Sequence, residues 1–205
     1  MRLLQLRFTN INSLAGTWNI DFTNPDFIRS PLFAIIGPTG SGKSTILDAV
    51  SLALYATTPR MKDMPPKIEG AETCPVLTKG EKSASAAVRF EVDGREYVSR
   101  WSRRTKRTGK LSEDEVELVA FASPEDQTGR PIATQKRQWE QEILRITHMT
   151  FPIFTRSVLL AQGAFSNFLK AADDERANLL EKITGTDLYS DVSIKIFEKN
   201  REARV

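Results

Sequence analysis

Histidine and cysteine are nearly absent from this chain: His148 and Cys74 stand alone among 205 residues. A single cysteine excludes an internal disulfide and any cysteine-rich zinc site within the chain, and a zinc hydrolase using His and Cys ligands has almost no material. A strong charge of one sign is also missing. Lys and Arg number 29 against 26 Asp and Glu, a net charge of +3 that permits contact with nucleic acid without arguing for it. No apolar run is long enough to span a bilayer, and the opening Met1-Arg2-Leu3-Leu4-Gln5-Leu6-Arg7-Phe8 lacks the apolar core of a signal peptide. The expectation is therefore a cytoplasmic protein with no membrane partner. Repeats and low-complexity tracts are absent too. What is present, 40% hydrophobic and 27% charged residues, is the composition of an ordinary globular domain.

Leu4, Leu6 and Phe8 alternate with polar residues, as do Trp18, Ile20 and Phe22, so two strands with one buried face each are expected. Leu32-Phe33-Ala34-Ile35-Ile36 is a continuous apolar run, the pattern of a strand buried on both faces. From Lys43 the period becomes helical, with Ile46, Leu47, Val50 and Leu54 on one side and Pro59 at the end. Val88–Val92, the turn Asp93-Gly94 and Tyr97–Trp101 read as a hairpin, and Glu115–Phe121 adds a further strand to an antiparallel meander. A helix over 134–147 aligns Trp139, Ile143 and Ile146, while Phe154–Ala161 reads as another strand. The last segment, from Asp187, is amphipathic and carries no cap.

The strongest chemical signal is Gly37-Pro38-Thr39-Gly40-Ser41-Gly42-Lys43-Ser44, a full match to the phosphate-binding loop, with an apolar run before it and a helix after. Its glycines let the backbone curl so that successive N–H groups face phosphate oxygens, and the helix N-terminus adds partial positive charge. In this pattern Lys43 reaches the β- and γ-phosphates, the Ser44 hydroxyl ligates Mg²⁺, and Thr45 offers its N–H and hydroxyl to the α-phosphate side. The expected ligand is MgATP or a close analogue. A second signal is Gln162, in Val158-Leu159-Leu160-Ala161-Gln162-Gly163-Ala164-Phe165. A neutral amide there can ligate Mg²⁺ or orient a water without adding charge. Read without context, the same Gln-Gly pair is also a common turn.

Together these stretches resemble the N-terminal head segment of the SbcC family, ATPase subunits of bacterial SbcCD nucleases, which group with the structural-maintenance-of-chromosomes-like, ABC-type ATPases. The resemblance runs nearly end to end. Its carriers are Leu6–Leu14, Phe33–Ala49, Leu52–Tyr55, Thr58–Arg60, Arg156–Phe165 and the run Glu175–Thr186. It implies an α/β P-loop NTPase fold: the N-terminal lobe of an ABC-type head over residues 1–170, with a mixed sheet and an antiparallel meander. Residues 171–205 would then be helices leading into a coiled coil. It further implies that Gln162 ligates Mg²⁺ beside Ser44 and, with Lys43, serves catalysis. Asn12 and Ser13 would lie against the phosphates or ribose, and Thr78 near the base or sugar.

Implied partners are the chain's own C-terminal ATPase half, a second SbcC head in a homodimer, an SbcD-like nuclease partner and double-stranded DNA ends. The implied location is the bacterial cytoplasm, in association with the nucleoid. The signature motif, the Asp-Glu pair after a Walker B strand and the switch histidine of such ATPases are not found here. Leu111-Ser112-Glu113-Asp114-Glu115 has no glycine pair, and Val116–Ala122 is followed by Ser123-Pro124. The resemblance therefore implies that the chain is catalytically incomplete without its C-terminal half. Arg100, Arg103, Arg104, Lys106, Arg107 and Lys110 form a basic tip that reads either as a DNA phosphate contact or as a solvated hairpin end. His148 and Trp139 read as structural. Another ABC-type half-domain and a stand-alone P-loop kinase remain open as alternatives.

Overall fold

The computed structural model describes residues 1–29, 32–62, 74–123, 126, 128–159 and 196. It divides into two compact units, Met1–His148 and Met149–Val205. The first unit is built on six strands: β1 (Arg2–Ile11), β2 (Leu14–Asp21), β3 (Ser83–Val92), β4 (Arg95–Arg104), β5 (Glu115–Ala120) and β6 (Arg130–Ala133). Its helices are α1 (Pro25–Ile28), α2 (Lys43–Tyr55), α3 (Pro59–Lys62) and α4 (Lys136–Thr147). The strands form one sheet in the order β2-β1-β3-β4-β5-β6, with every pair antiparallel.

Period-two alternation decides which face is covered. Leu4, Leu6 and Phe8 of β1, Ala84, Ala86, Val88 and Phe90 of β3, and Trp101 of β4 are buried, while Arg7, Arg100 and Arg104 are exposed. Helix α2 packs on β1, β3 and β4, and α4 on β5 and β6. The small side chains Ala84 and Ala86 give α2 a shallow stretch of sheet to lie on, and Ala49, Leu52 and Ala53 meet it fully buried. The Asp93-Gly94 turn takes positive φ at both residues, 51° and 74°, as a tight hairpin twisted to match its strands requires.

The indoles of Trp101 and Trp139 are core, and both find acceptors, while Trp18 is exposed. Trp139 Nε1 donates to Ser99 Oγ at 2.9 Å, and Ser99 Oγ donates in turn to the Ala53 carbonyl of α2 at 2.6 Å. Trp101 Nε1 donates to Asp114 Oδ1 at 3.0 Å, and Asp114 also receives Lys136 Nζ at 2.7 Å and pairs with Arg103 Nε at 3.2 Å. That carboxylate fixes the base of the β4–β5 tip. Arg104 pairs with Glu115 at 3.0 Å and Arg100 with Glu117. Lys106, Arg107 and Lys110 are exposed and make no ion pair among the described residues. His148 is the left-handed C-cap of α4, its N–H donating to the Leu144 carbonyl at 2.8 Å, in keeping with the structural reading.

Two expectations need correction. The run Leu32–Ile36 is no strand among the described residues, and its side chains are exposed, Ile36 by 89%. A strand buried on both faces needs a neighbour on each side and layers above and below it, and the described sheet provides none. The stretch starting at Phe154 is helical in its first part: α5 spans Phe151–Ser157 in the second unit. Pro152 suits a first helical turn, where its missing N–H has no helical acceptor anyway. The Thr155 and Ser157 hydroxyls satisfy themselves on the carbonyls of Phe151 and Ile153 at 3.0 and 2.7 Å, so the β-branched pattern does not enforce a strand.

Asp126, between β5 and β6, accepts hydrogen bonds from the backbone N–H groups of Gly129, Ala122 and Thr128 and from the Thr128 hydroxyl at 3.0–3.1 Å. These donors, Gly129 first, hold its carboxyl at about 2. The folded value is depressed, so its stabilisation is present above the ordinary value of 3.8 and is lost as pH falls through about 2. A carbon-detected NMR titration should show its midpoint near 2. A midpoint at the ordinary value would mean that these bonds are not made.

Candidate nucleotide-binding site

The phosphate loop is built from its right-hand end. Gly42 is the N-cap of α2 with φ 88°, a left-handed conformation, and offers no side chain to the helix start. A Cβ on Gly42 would lie 2.7 Å from Cγ and Cδ2 of Leu14, so only glycine suits both the conformation and the closeness of the β1–β2 turn. Gly40 also has positive φ, 84°. The loop closes on itself through Ser41 N–H to the Pro38 carbonyl at 3.2 Å. The N–H groups of Gly40, Gly42, Lys43 and Ser44 meet no acceptor among the described residues, and α2 has no acidic residue in its first turn. The result is a set of open donors at the positive end of a 13-residue helix, a ready seat for an anion.

Lys43 Nζ lies across this loop and donates to the carbonyls of Gly37 and Pro38, both at 2.7 Å. Residues 32–41 and Ser44 are exposed or half-buried, Lys43 is half-buried and Thr45 is buried, its N–H on the Gly42 carbonyl at 2.9 Å. The expected loop residues Gly37, Pro38, Thr39, Gly40, Ser41, Gly42, Lys43 and Ser44 form one continuous element running into α2, whereas Thr45, expected to offer its N–H to the α-phosphate side, is buried with that N–H on the Gly42 carbonyl.

Asn12 and Ser13 form the β1–β2 turn, and Leu14 brings that turn against Gly42. Asn12 has φ 50°, its N–H donates to the Val76 carbonyl at 2.8 Å, and its side-chain Nδ2 donates to Asp48 Oδ2 at 2.9 Å. Ser13 is exposed at the tip. The segment carrying Thr78 is bound to the same end of β1, through the Ile11–Leu77 bridge and Thr78 N–H to the Asn10 carbonyl at 3.1 Å. Thr78 Oγ1 is buried with no hydrogen-bond partner among the described residues, an orphan that a ligand donor or acceptor would satisfy. The fold thus draws together the phosphate loop, Asn12, Ser13 and the Thr78 segment around one end of α2. Gln162 and the Glu175–Thr186 run lie outside the described residues, as does the stretch from Asp187 apart from Ile196.

Sequence reasoning missed Asp48 and Asn10. Asp48 is only 4% exposed, and burial pushes its carboxyl above the ordinary value, opposed by the charge of Arg60 and the Asn12 hydrogen bond. The signal was available: a charged residue among Ala49, Val50 and Leu52 on the packed side of a helix. Asn10, at φ 53°, accepts from Gly16 N–H at 2.7 Å and donates to Glu81 and the Ser83 carbonyl, fastening β2 and the start of β3 to the end of β1.

The AAA domain family matches residues 5–204 of this chain. The chain belongs to the AAA domain family. Among its relatives, it is 40% identical to the SbcC component of the SbcCD nuclease of Rhodobacter capsulatus, over 100% of this chain and 17% of that protein. It is 37% identical to the SbcC component of the SbcCD nuclease of Pseudomonas aeruginosa, over 99% of this chain and 18% of that protein. The chain thus spans under one fifth of the length of the curated relatives it matches. A solved structure described under "Structural biochemistry of ATP-driven dimerization and DNA stimulated activation of SMC ATPases" superposes with a TM-score of 0.58 at 21% identity, covering 89% of this chain and 99% of that one. This likeness shows the fold, and the AAA domain stands as an α/β P-loop lobe. The resemblance to the SbcC head segment holds across the whole chain. Among the described residues of the AAA domain, no helix is long and apolar enough to cross a membrane.

Proposed function

We propose that this chain is the ATP-binding head segment of an SbcC-type component of a DNA double-strand-break repair nuclease. The observation that carries the reading is an open phosphate cradle, the N–H groups of Gly40, Gly42, Lys43 and Ser44 at the start of α2 without an acceptor among the described residues. On the resemblance, the chain's own C-terminal ATPase half would supply the signature and Walker B motifs.

The donor set fits MgATP. The open N–H groups of Gly40, Gly42, Lys43 and Ser44 cradle phosphate oxygens, and Lys43 exchanges its two carbonyl acceptors for β- and γ-phosphate oxygens. Ser44 and, on the resemblance, Gln162 would hold Mg²⁺. Bound Mg²⁺ neutralises charge on the β- and γ-oxygens during phosphoryl transfer. On the resemblance, Asn12, Ser13 and the orphan hydroxyl of Thr78 would bind the rest of the nucleotide. Two such heads would sandwich two MgATP molecules, and closing and reopening would pass nucleotide state to an SbcD-like nuclease partner and to double-stranded DNA ends. Lys106, Arg107 and Lys110, without carboxylate partners among the described residues, are the described cations best suited to DNA phosphates. Residues 171–205 would lead into the coiled coil joining the two halves.

The test is MgATP binding and turnover by the chain alone and after addition of the C-terminal half. The expected result is binding by the chain, negligible turnover alone and turnover restored by the added half. Brisk turnover by the chain alone overturns the split-head reading.

A further inference from the structure

Asp48 is a buried carboxylate that the phosphate chemistry above does not use. It lies four residues past Ser44, one turn further along the same side of α2. Such a group on the packed side of a helix costs folding free energy unless its partners repay desolvation. Its partners are Asn12 Nδ2 at 2.9 Å and Arg60 Nε at 3.6 Å, the Arg60 side chain being 56% exposed. One partner belongs to the β1–β2 turn and the other to α3, so the carboxylate ties both to the helix that begins at the phosphate loop. An ionised carboxylate only accepts, which fixes the Asn12 amide with its NH₂ toward Asp48 and its carbonyl oxygen turned away. The same turn is held by Asn12 N–H on the Val76 carbonyl and by Leu14 on Gly42.

We propose that Asp48 is a positioning residue for the nucleotide: it holds the Asn12 side chain, and with it the β1–β2 turn, one helical turn behind Ser44. The proposal rests on the MgATP reading above. Asn12 then meets the ligand in a single orientation, and losing either partner releases the other.

The experiment is equilibrium binding of MgATP to the chain, well below its thermal midpoint, for Asn12→Ala, Asp48→Ala, the double variant and Asp48→Asn, with Lys43→Ala as reference. Asn12→Ala and Asp48→Ala are each expected to raise Kd about tenfold, and the double variant no further than either single change. Asp48→Asn keeps an acceptor for the amide and should stay within about threefold of the unaltered chain. A purely structural Asp48 would lower the thermal midpoint and leave Kd unmoved, which overturns the proposal. So do additive effects in the double variant, unaltered binding by Asn12→Ala, or a loss in Asp48→Asn as deep as in Asp48→Ala. Should Asp48→Ala not fold, Asn12→Ala and Asp48→Asn decide. If the unaltered chain does not bind MgATP, or Lys43→Ala binds it equally well, the MgATP reading falls, and this proposal with it.

Discussion

Replacing Lys43 by alanine is expected to weaken MgATP binding about a hundredfold while leaving the fold intact. In the free chain the ammonium is spent on two loop carbonyls, Gly37 and Pro38, at 2.7 Å each. Those carbonyls belong to exposed residues, so water replaces the lysine when it is removed. The thermal midpoint should therefore move by no more than about 2 °C, as for surface changes away from the core. With nucleotide bound, the same ammonium faces phosphate oxygens, and each charge-assisted bond is stronger than the carbonyl bond it replaces. Losing about 3 kcal/mol of such bonds corresponds to a little over a hundredfold in Kd. Lys43→Arg keeps the charge but replaces a compact point donor with a wide planar fork, and should recover only part of the affinity. Titration calorimetry distinguishes these cases. Affinity retained in Lys43→Ala would show that the lysine stays on its own loop and that anion binding rests on backbone N–H groups alone.

How far the sequence reached follows from where its residues find their partners. The hairpin at Asp93-Gly94, the alternation in β1 and β3, and α4 with Trp139 inward depend on local periodicity, so neighbours a few residues away sufficed to read them. The phosphate loop was legible for the same reason, since Gly40, Gly42 and Lys43 act through backbone conformation close by. Leu32–Ile36 misled because an apolar run does not by itself make a covered strand: these residues are exposed, with Phe33 against the rings of Phe22 and Phe27. Phe154–Ser157 misled because Thr155 and Ser157 satisfy their hydroxyls inside a helix turn. Asp48 and Asn10 act across 36 to 73 residues of sequence, on Asn12 and Ser83; a charge on the packed side of α2 marks Asp48 locally, but no local pattern names the partners. The orphan hydroxyl of Thr78 belongs with them: only the fold shows that it is buried.

Trp139→Ala is expected to be among the most destabilising single changes in the first unit, about 3–5 kcal/mol. The indole is fully buried, and its N–H begins a relay through Ser99 Oγ to the Ala53 carbonyl, linking α4, β4 and the C-terminal half of α2. Truncation leaves a cavity beside Ile143 and takes from Ser99 the donor that its hydroxyl accepts. At roughly 2–4 °C per kcal/mol for a domain of this size, the thermal midpoint should fall by about 6–20 °C. Trp139→Phe separates packing from hydrogen bonding: it keeps most of the volume, loses the N–H, and should cost only about 1–2 kcal/mol. Equal losses for Ala and Phe would mean that the relay dominates and packing matters little. A loss below about 1 kcal/mol for Ala would mean that α4 is not seated on the sheet as described. Because α2 starts at the phosphate loop and is anchored at its far end by this relay, saturating MgATP should return part of the lost midpoint in Trp139→Ala, by mass action on the folded state. The combination Lys43→Ala with Trp139→Ala should show no such recovery, and that difference ties the core of the first unit to the nucleotide site.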